Sequence, residues 1–327
     1  MEVGSFPFRY LGVPLHSKKL NVYDCRPLLD KIIGRIHWWS SKLLSYAGRI
    51  QLVRSVIRGV ENFWAQIFCL PKKLIKMIED VCRSFIWTGK EGISRKAVVA
   101  WEKMVLPHDR GGLNLRDMQK WNTAALMKHL WNMEQRKENL WVKWVHSYYI
   151  KSRDIYSIEV SIHASWSFKK IINQRDVVAQ LGGWNTCLHK ERFSIGKAYN
   201  HLIADMPIVN WRNIMKRNFA SPSALFITWL AIQNKLATKD RISKWKEDCT
   251  LECDICHQEE ETIQHLFFDC KNAQEIRKIV LAGLNFHHDA GNIQEEFELM
   301  QWLNGKKTDR AKIVVMIWTE MIYGIWK

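Results

Sequence analysis

From residue 24 onward the apolar positions of this chain fall mostly at helical spacings, whereas its first fifteen residues read as extended. Phe6-Pro7-Phe8-Arg9-Tyr10-Leu11-Gly12-Val13-Pro14-Leu15 is aromatic and β-prone, with Gly12 at a turn or bulge and Pro14 barred from a central strand, which predicts a short hairpin. Leu28, Ile32, Ile36 and Trp39 share one helix face. Ser45 is placed to cap a second helix with the stripe Ile50, Val53, Ile57 and Val60. Pro71 opens a third, where Leu74, Ile78, Val81, Phe85 and Ile86 are set against Lys72, Lys73, Lys76 and Arg83. A short extended piece is expected at residues 97–101, and the paired glycines Gly111-Gly112 demand a tight turn or close backbone approach.

A further helix follows through Asn122, Ala125, Leu126, His129 and Leu130. Residues 151–190 show no strong period and are read as the domain junction. Phe193-Ser194-Ile195 opens a new helix, and Ser221-Pro222 caps an apolar one over residues 224–231. Residues 235–245 read as a basic helix, the run Glu259-Glu260-Glu261 as a solvated turn, and residues 273–281 as an amphipathic helix. A polar loop and an apolar terminal helix complete a mainly α chain.

Composition narrows this picture. The chain has 327 residues, room for two or three domains, and 47% of them are hydrophobic, so disorder is not the theme. No uninterrupted apolar run reaches the length of a membrane span, and Met1-Glu2-Val3-Gly4-Ser5 has no signal-peptide character. Net charge is +16, concentrated in residues 1–150, which carry 25 Lys and Arg against 12 Asp and Glu. A basic half attracts polyanions, nucleic acid first among them, although mere solubility competes with that reading. Arg54 and Arg58 lie opposite the apolar stripe of their helix, facing phosphate or water, whereas Arg49 projects into the apolar sector. The seventeen tryptophans include Trp141-Val142-Lys143-Trp144, a pattern able to stack on bases but more often a core anchor, and core is the reading favoured.

The candidate chemistry sits near the end. Cys253 and Cys256 form a knuckle that can present two sulfurs to one ion, and His265 and Cys270 supply two more corners of a tetrahedron. All four positions are then filled by protein, which describes structural zinc; a catalytic site leaves one corner for water. Ordinary buried thiols are the bland alternative. Cys253-Asp254-Ile255-Cys256-His257 also spells a c-type haem attachment pattern, which leaves His265 and Cys270 unexplained, and Cys249 is a possible replacement ligand. The other cysteines are scattered, which speaks for a reducing, intracellular setting rather than a disulfide framework.

Five blocks, in order, resemble plant LINE-type (non-LTR) retrotransposon reverse transcriptases. They are Phe8-Arg9-Tyr10-Leu11-Gly12-Val13-Pro14-Leu15, the block from Trp38-Trp39-Ser40 to Gly48-Arg49-Ile50, Phe85-Ile86-Trp87-Thr88-Gly89, Gly111-Gly112-Leu113-Asn114-Leu115, and the zinc segment ending His265-Leu266-Phe267-Phe268-Asp269-Cys270. The last is similar to the family's reverse-transcriptase zinc-binding domain. The resemblance implies a palm remnant at 1–15, with Tyr10, Leu11 and Gly12 as a primer-supporting hairpin, and a basic helical thumb and connector bundle at 16–150. A linker at 151–191, a small helical zinc-binding domain at 192–280 and a helical tail at 281–327 follow. It also implies nucleic-acid partners, RNA template and target DNA, for which Arg49, Arg54, Arg58, Lys72, Lys73 and Lys76 are the candidate contacts, and it allows a nuclear location.

The departure from the family bears on activity. A reverse transcriptase holds two Mg²⁺ ions on paired aspartates, and no Asp-Asp pair occurs in these 327 residues. The expectation is a nucleic-acid-binding portion without polymerase activity. A zinc-stabilised scaffold for protein partners and a nonfunctional transposon relic are the competing readings.

Overall fold

A computed structural model describes residues 8–10, 13–15, 19–40, 42–94, 96–288, 291–306 and 308–327. β1 (Phe8–Tyr10) and β2 (Val13–Leu15) pair antiparallel, with Tyr10 opposite Val13, so the expected hairpin forms; Leu11 and Gly12 lie outside the described residues. The helices follow in chain order: α1 (Arg26–Ser40), α2 (Tyr46–Asn62), α3 (Trp64–Ile67), α4 (Lys72–Thr88), α5 (Trp101–Met104) and α6 (Met118–Glu134). Next come α7 (Leu140–Val145), α8 (Trp166–Ile172), α9 (Gln174–Gln180), the two-residue strands β3 (Leu188–His189) and β4 (Arg192–Phe193), and α10 (Ile195–Leu202). The remainder is α11 (Arg212–Met215), α12 (Pro222–Ile232), α13 (Lys239–Ile242), α14 (Lys271–Ala282), α15 (Ile293–Gly305) and α16 (Asp309–Trp326). The fold is mainly α with short hairpins.

Local chemistry sets many of the helix ends. Ser45 Oγ accepts from the Gly48 amide at the start of α2, and Ser221 Oγ from the Ala224 amide at the start of α12, where Pro222 lacks a donor that would otherwise be unpaired. Gly89 ends α4 in the left-handed conformation, φ 69°. Three expectations fail locally. Residues 97–101 pair with no strand and lead into α5. Only Lys239–Ile242 of the expected basic helix at 235–245 is helical, because that stretch has few apolar positions to bury. The expected polar loop contains α15, nucleated by a capping box in which Asn292 and Glu295 bond reciprocally.

The chain divides into two compact units, each built from separate segments. The first comprises Met1–Leu43, Leu52–Lys96 and Leu115–Pro207. Its centre is α6, apolar on most sides, which packs against α3, α4, α7, α8, α9 and α10. Buried Asn122 ties α6 to the turn after α3, its Oδ1 accepting from the Leu70 amide at 2.9 Å and its Nδ2 donating to the Ala65 and Phe68 carbonyls at 2.7 Å each. α1 packs on α4, where the rings of Trp39 and Phe85 lie 6.1 Å apart. The stretch 151–190 is not featureless: α8 and α9 hold Phe168, Ile172 and Val178 in this core, each helix too short to show a period.

The second unit comprises Leu44–Gln51, Ala97–Asn114 and Ile208–Lys327. α12 packs along α16, and Trp229 and Trp318 are its largest fully buried side chains. Glu320, the one acid in the apolar terminal run, accepts from the amide and hydroxyl of Ser221, placing a carboxylate at the positive end of α12. The paired glycines do what their pattern demands. Gly111 has φ +85°, and a Cβ on Gly112 would lie 2.1 Å from the Leu106 carbonyl oxygen. Gly111 O also accepts from Trp229 Nε1 at 2.9 Å, which docks this turn on α12. Among the described residues no helix is long and apolar enough to cross a membrane.

Candidate metal centre

Cys253 and Cys256 sit on a small pinched loop. Glu252 and Glu260 face each other across it as an antiparallel bridge, and the Cys253 amide donates to the Glu259 carbonyl at 2.8 Å. His257 adopts φ +53° to let the chain turn back. The other two candidates come from a wide turn over His265–Asp269 that closes one residue later than an α-helix, with the Cys270 amide donating to the His265 carbonyl at 2.7 Å. Leu266, Phe267 and Phe268 within that turn are buried and root it in the core.

The loop and the turn bring one ligand atom from each of Cys253, Cys256, His265 and Cys270 within 4.8 Å of one another. Cys253, His265 and Cys270 are buried and Cys256 is half-buried. His265 Nε2 lies 3.2 Å from Cys256 Sγ, while Nδ1 lies 3.1 Å from a carboxylate oxygen of Glu259 without hydrogen-bond geometry. The imidazole therefore turns one nitrogen toward the sulfurs and the other toward a carboxylate, as metal-bound histidines commonly do. The amide of Gln258, ahead of that of Glu259, pulls the Cys256 thiol down to about 6, favouring the thiolate form, whereas burial pushes Cys253 up. Three soft sulfur donors and one imidazole fit zinc, and the set fills a tetrahedron without a position for water. Bound there, zinc supplies a cross-link between loop and turn.

The surroundings correct the reading of the acidic run. Glu261 is buried, accepting from the Lys239 amide at 3.2 Å, and Glu259 stands beside His265, so Glu259-Glu260-Glu261 is not a plain solvated turn. Lys239 Nζ bonds Asp254 at 2.5 Å and the Glu252 carbonyl at 2.6 Å, clamping the knuckle from α13. The Asp254 carboxylate holds the Lys239 ammonium above its usual range. Cys249 lies outside the cluster, its sulfur directed at the Thr250 carbonyl.

The candidate nucleic-acid contacts are dispersed. Lys72, Lys73 and Lys76 are exposed on α4, and Lys76 approaches Asp80 at 3.4 Å. Arg58 is exposed on α2, but Arg54 is half-buried, and burial ahead of the neighbouring Arg58 charge lowers its pKa. Arg49, in the second unit, places its guanidinium 5.1 Å from the centre of the Tyr46 ring. Trp141 and Trp144, favoured as core, are instead exposed, at 37% and 50%.

Fold and site together define a helical protein carrying a closed structural metal knuckle. Residues 193–276 match the family described as zinc-binding in reverse transcriptase, so the segment that holds the four candidate ligands is similar to that zinc-binding family. Over 175 residues the chain is 27% identical to "Putative ribonuclease H protein At1g65750" of Arabidopsis thaliana, covering 53% of this chain and 28% of that protein. Over 114 residues it is 26% identical to "Uncharacterized mitochondrial protein AtMg00310" of the same plant, covering 35% and 74%. The chain thus spans less than a third of the first of these relatives.

Proposed function

We propose that this chain is a non-catalytic, nucleic-acid-binding portion of a plant LINE-type retrotransposon reverse transcriptase, with Cys253, Cys256, His265 and Cys270 as its zinc ligands. The observation that carries the reading is the closed Cys₃His knuckle inside a segment matching the reverse-transcriptase zinc-binding family. The strongly basic first 150 residues support a grip on a phosphate backbone, with Lys72, Lys73 and Lys76 on α4 and Arg58 on α2 as its exposed cations. Arg49 and Arg54, both partly buried, would steady the helix that presents them.

Two measurements test this. Binding to a structured RNA and to nicked DNA, followed from low to moderate salt, should weaken steeply, with log affinity linear in log salt. A flat response would favour a zinc-stabilised scaffold for protein partners. Primer extension with Mg²⁺ should give no nucleotide incorporation, since the sequence has no adjacent aspartates to hold two metal ions.

A further inference from the structure

Exposed aromatic residues of the first unit gather after α6. α7 runs into a second wide turn, His146–Ile150, and the two place Trp144 and Tyr148 one over the other, with ring centres 5.5 Å apart and planes 6° from parallel. Trp144 is 50% exposed and Tyr148 64%. Tyr149 meets both edge-on, at 5.4 and 4.9 Å, and lies flat on buried Phe168 of α8 at 4.3 Å. A chain of ring contacts thus fixes the exposed pair to the core, so little side-chain freedom remains to be lost on binding.

Cations gather on α8, the helix that carries Phe168, and on α7, which carries Trp144. Trp166, two residues before Phe168, has the Lys19 ammonium 5.3 Å and the Lys170 ammonium 5.9 Å from its ring centre. Lys143, beside Trp144 in sequence, is exposed and reaches Glu138 only at 3.8 Å. A purely apolar partner would have no use for the ammonium groups, whereas a single strand of nucleic acid presents flat bases and a phosphate at each step. We propose that Trp144 and Tyr148 form a stacking platform for unpaired bases of single-stranded nucleic acid, with Lys143, Lys170 and Lys19 facing its phosphates. The proposal rests on the nucleic-acid reading above and adds a contact to the bases themselves.

The test uses the full zinc-loaded chain and two fluorescently labelled probes of equal length and charge, a 12-nucleotide single-stranded RNA and an abasic oligonucleotide. The platform predicts at least about tenfold tighter binding of the base-bearing probe, with quenching of tryptophan emission that the abasic probe does not produce. The Trp144→Ala/Tyr148→Ala variant should lose that advantage while holding the abasic probe as before, and Trp144→Phe/Tyr148→Phe should keep most of it. Equal, salt-sensitive affinity for both probes would overturn the platform and leave the electrostatic reading standing. A variant that lost both probes equally would mark the rings as structural and overturn it too. Binding of neither probe by the wild-type chain would overturn the platform and the wider reading together.

Discussion

The helical first unit and the metal knuckle are stabilised by different physics. Around α6, cohesion comes from many apolar contacts, each worth little alone, plus a few buried hydrogen bonds such as those of Asn122. The knuckle has one antiparallel bridge and a wide turn, and four donor atoms converge at its centre. A core built from many contacts degrades gradually when one is removed. A site built from four ligands fails when one is lost, since each carries about a quarter of the bonding.

Metal removal should therefore separate the two most sharply. Zinc analysis of folded, reduced protein should find about one ion per chain. Chelation, or Cys253→Ser or His265→Ala, should unfold residues near 225–280 and leave the first-unit helices protected in hydrogen exchange. The loss corresponds to an apparent binding energy of about 10–16 kcal/mol for structural zinc in small domains. Uniform loss of protection across both units would break the contrast.

Next in size are single changes that leave buried groups unpaired or collide with backbone. Asn122→Leu strands the Leu70 amide and two carbonyls and should cost at least about 3 kcal/mol in urea unfolding of the first unit. Gly112→Ala, in the second, forces a methyl group onto the Leu106 carbonyl and should cost about 2–4 kcal/mol. If either change were silent, the core would be looser than described.

Acid should sharpen the comparison at smaller scale. His129 is buried, with Nε2 2.7 Å from the Gln66 carbonyl, and burial ahead of that hydrogen bond's opposing effect lowers its pKa below 6.5. The unfolded chain then takes up the proton first, so stability is intact above pH 6.5 and declines as pH falls from there toward the lower folded value. The slope from this one group cannot exceed about 1.4 kcal/mol per pH unit, and His129→Gln should flatten it. The smallest effect is on α4: Lys73→Ala should change stability by less than about 0.5 kcal/mol, yet reduce the salt slope of nucleic-acid binding by about 1.

The apolar stripes of α1, α2 and α4 and the caps at Ser45 and Ser221 were legible because each depends on neighbours within a few residues. The candidate metal ligands were legible for another reason: their residue types are rare and chemically specific, although the sequence left Cys249 as a possible substitute until the structure placed it outside the cluster. α15 was overlooked although its Asn292/Glu295 capping box and the helical spacing of Phe297, Met300 and Leu303 stood in the sequence. α8 and α9, seven residues each, were too short to show a period.

By itself the sequence determined a mainly helical chain, a basic first half and a Cys₃His zinc knuckle, because periodicity, charge and donor chemistry are properties of the residues. Only tertiary structure decided that Glu261 is buried, that Gly111 receives the Trp229 indole from 118 positions away, and that Trp144 and Tyr148 stack at the surface. Whether a tryptophan is core or platform depends on what the rest of the chain leaves uncovered, and no local pattern encodes that.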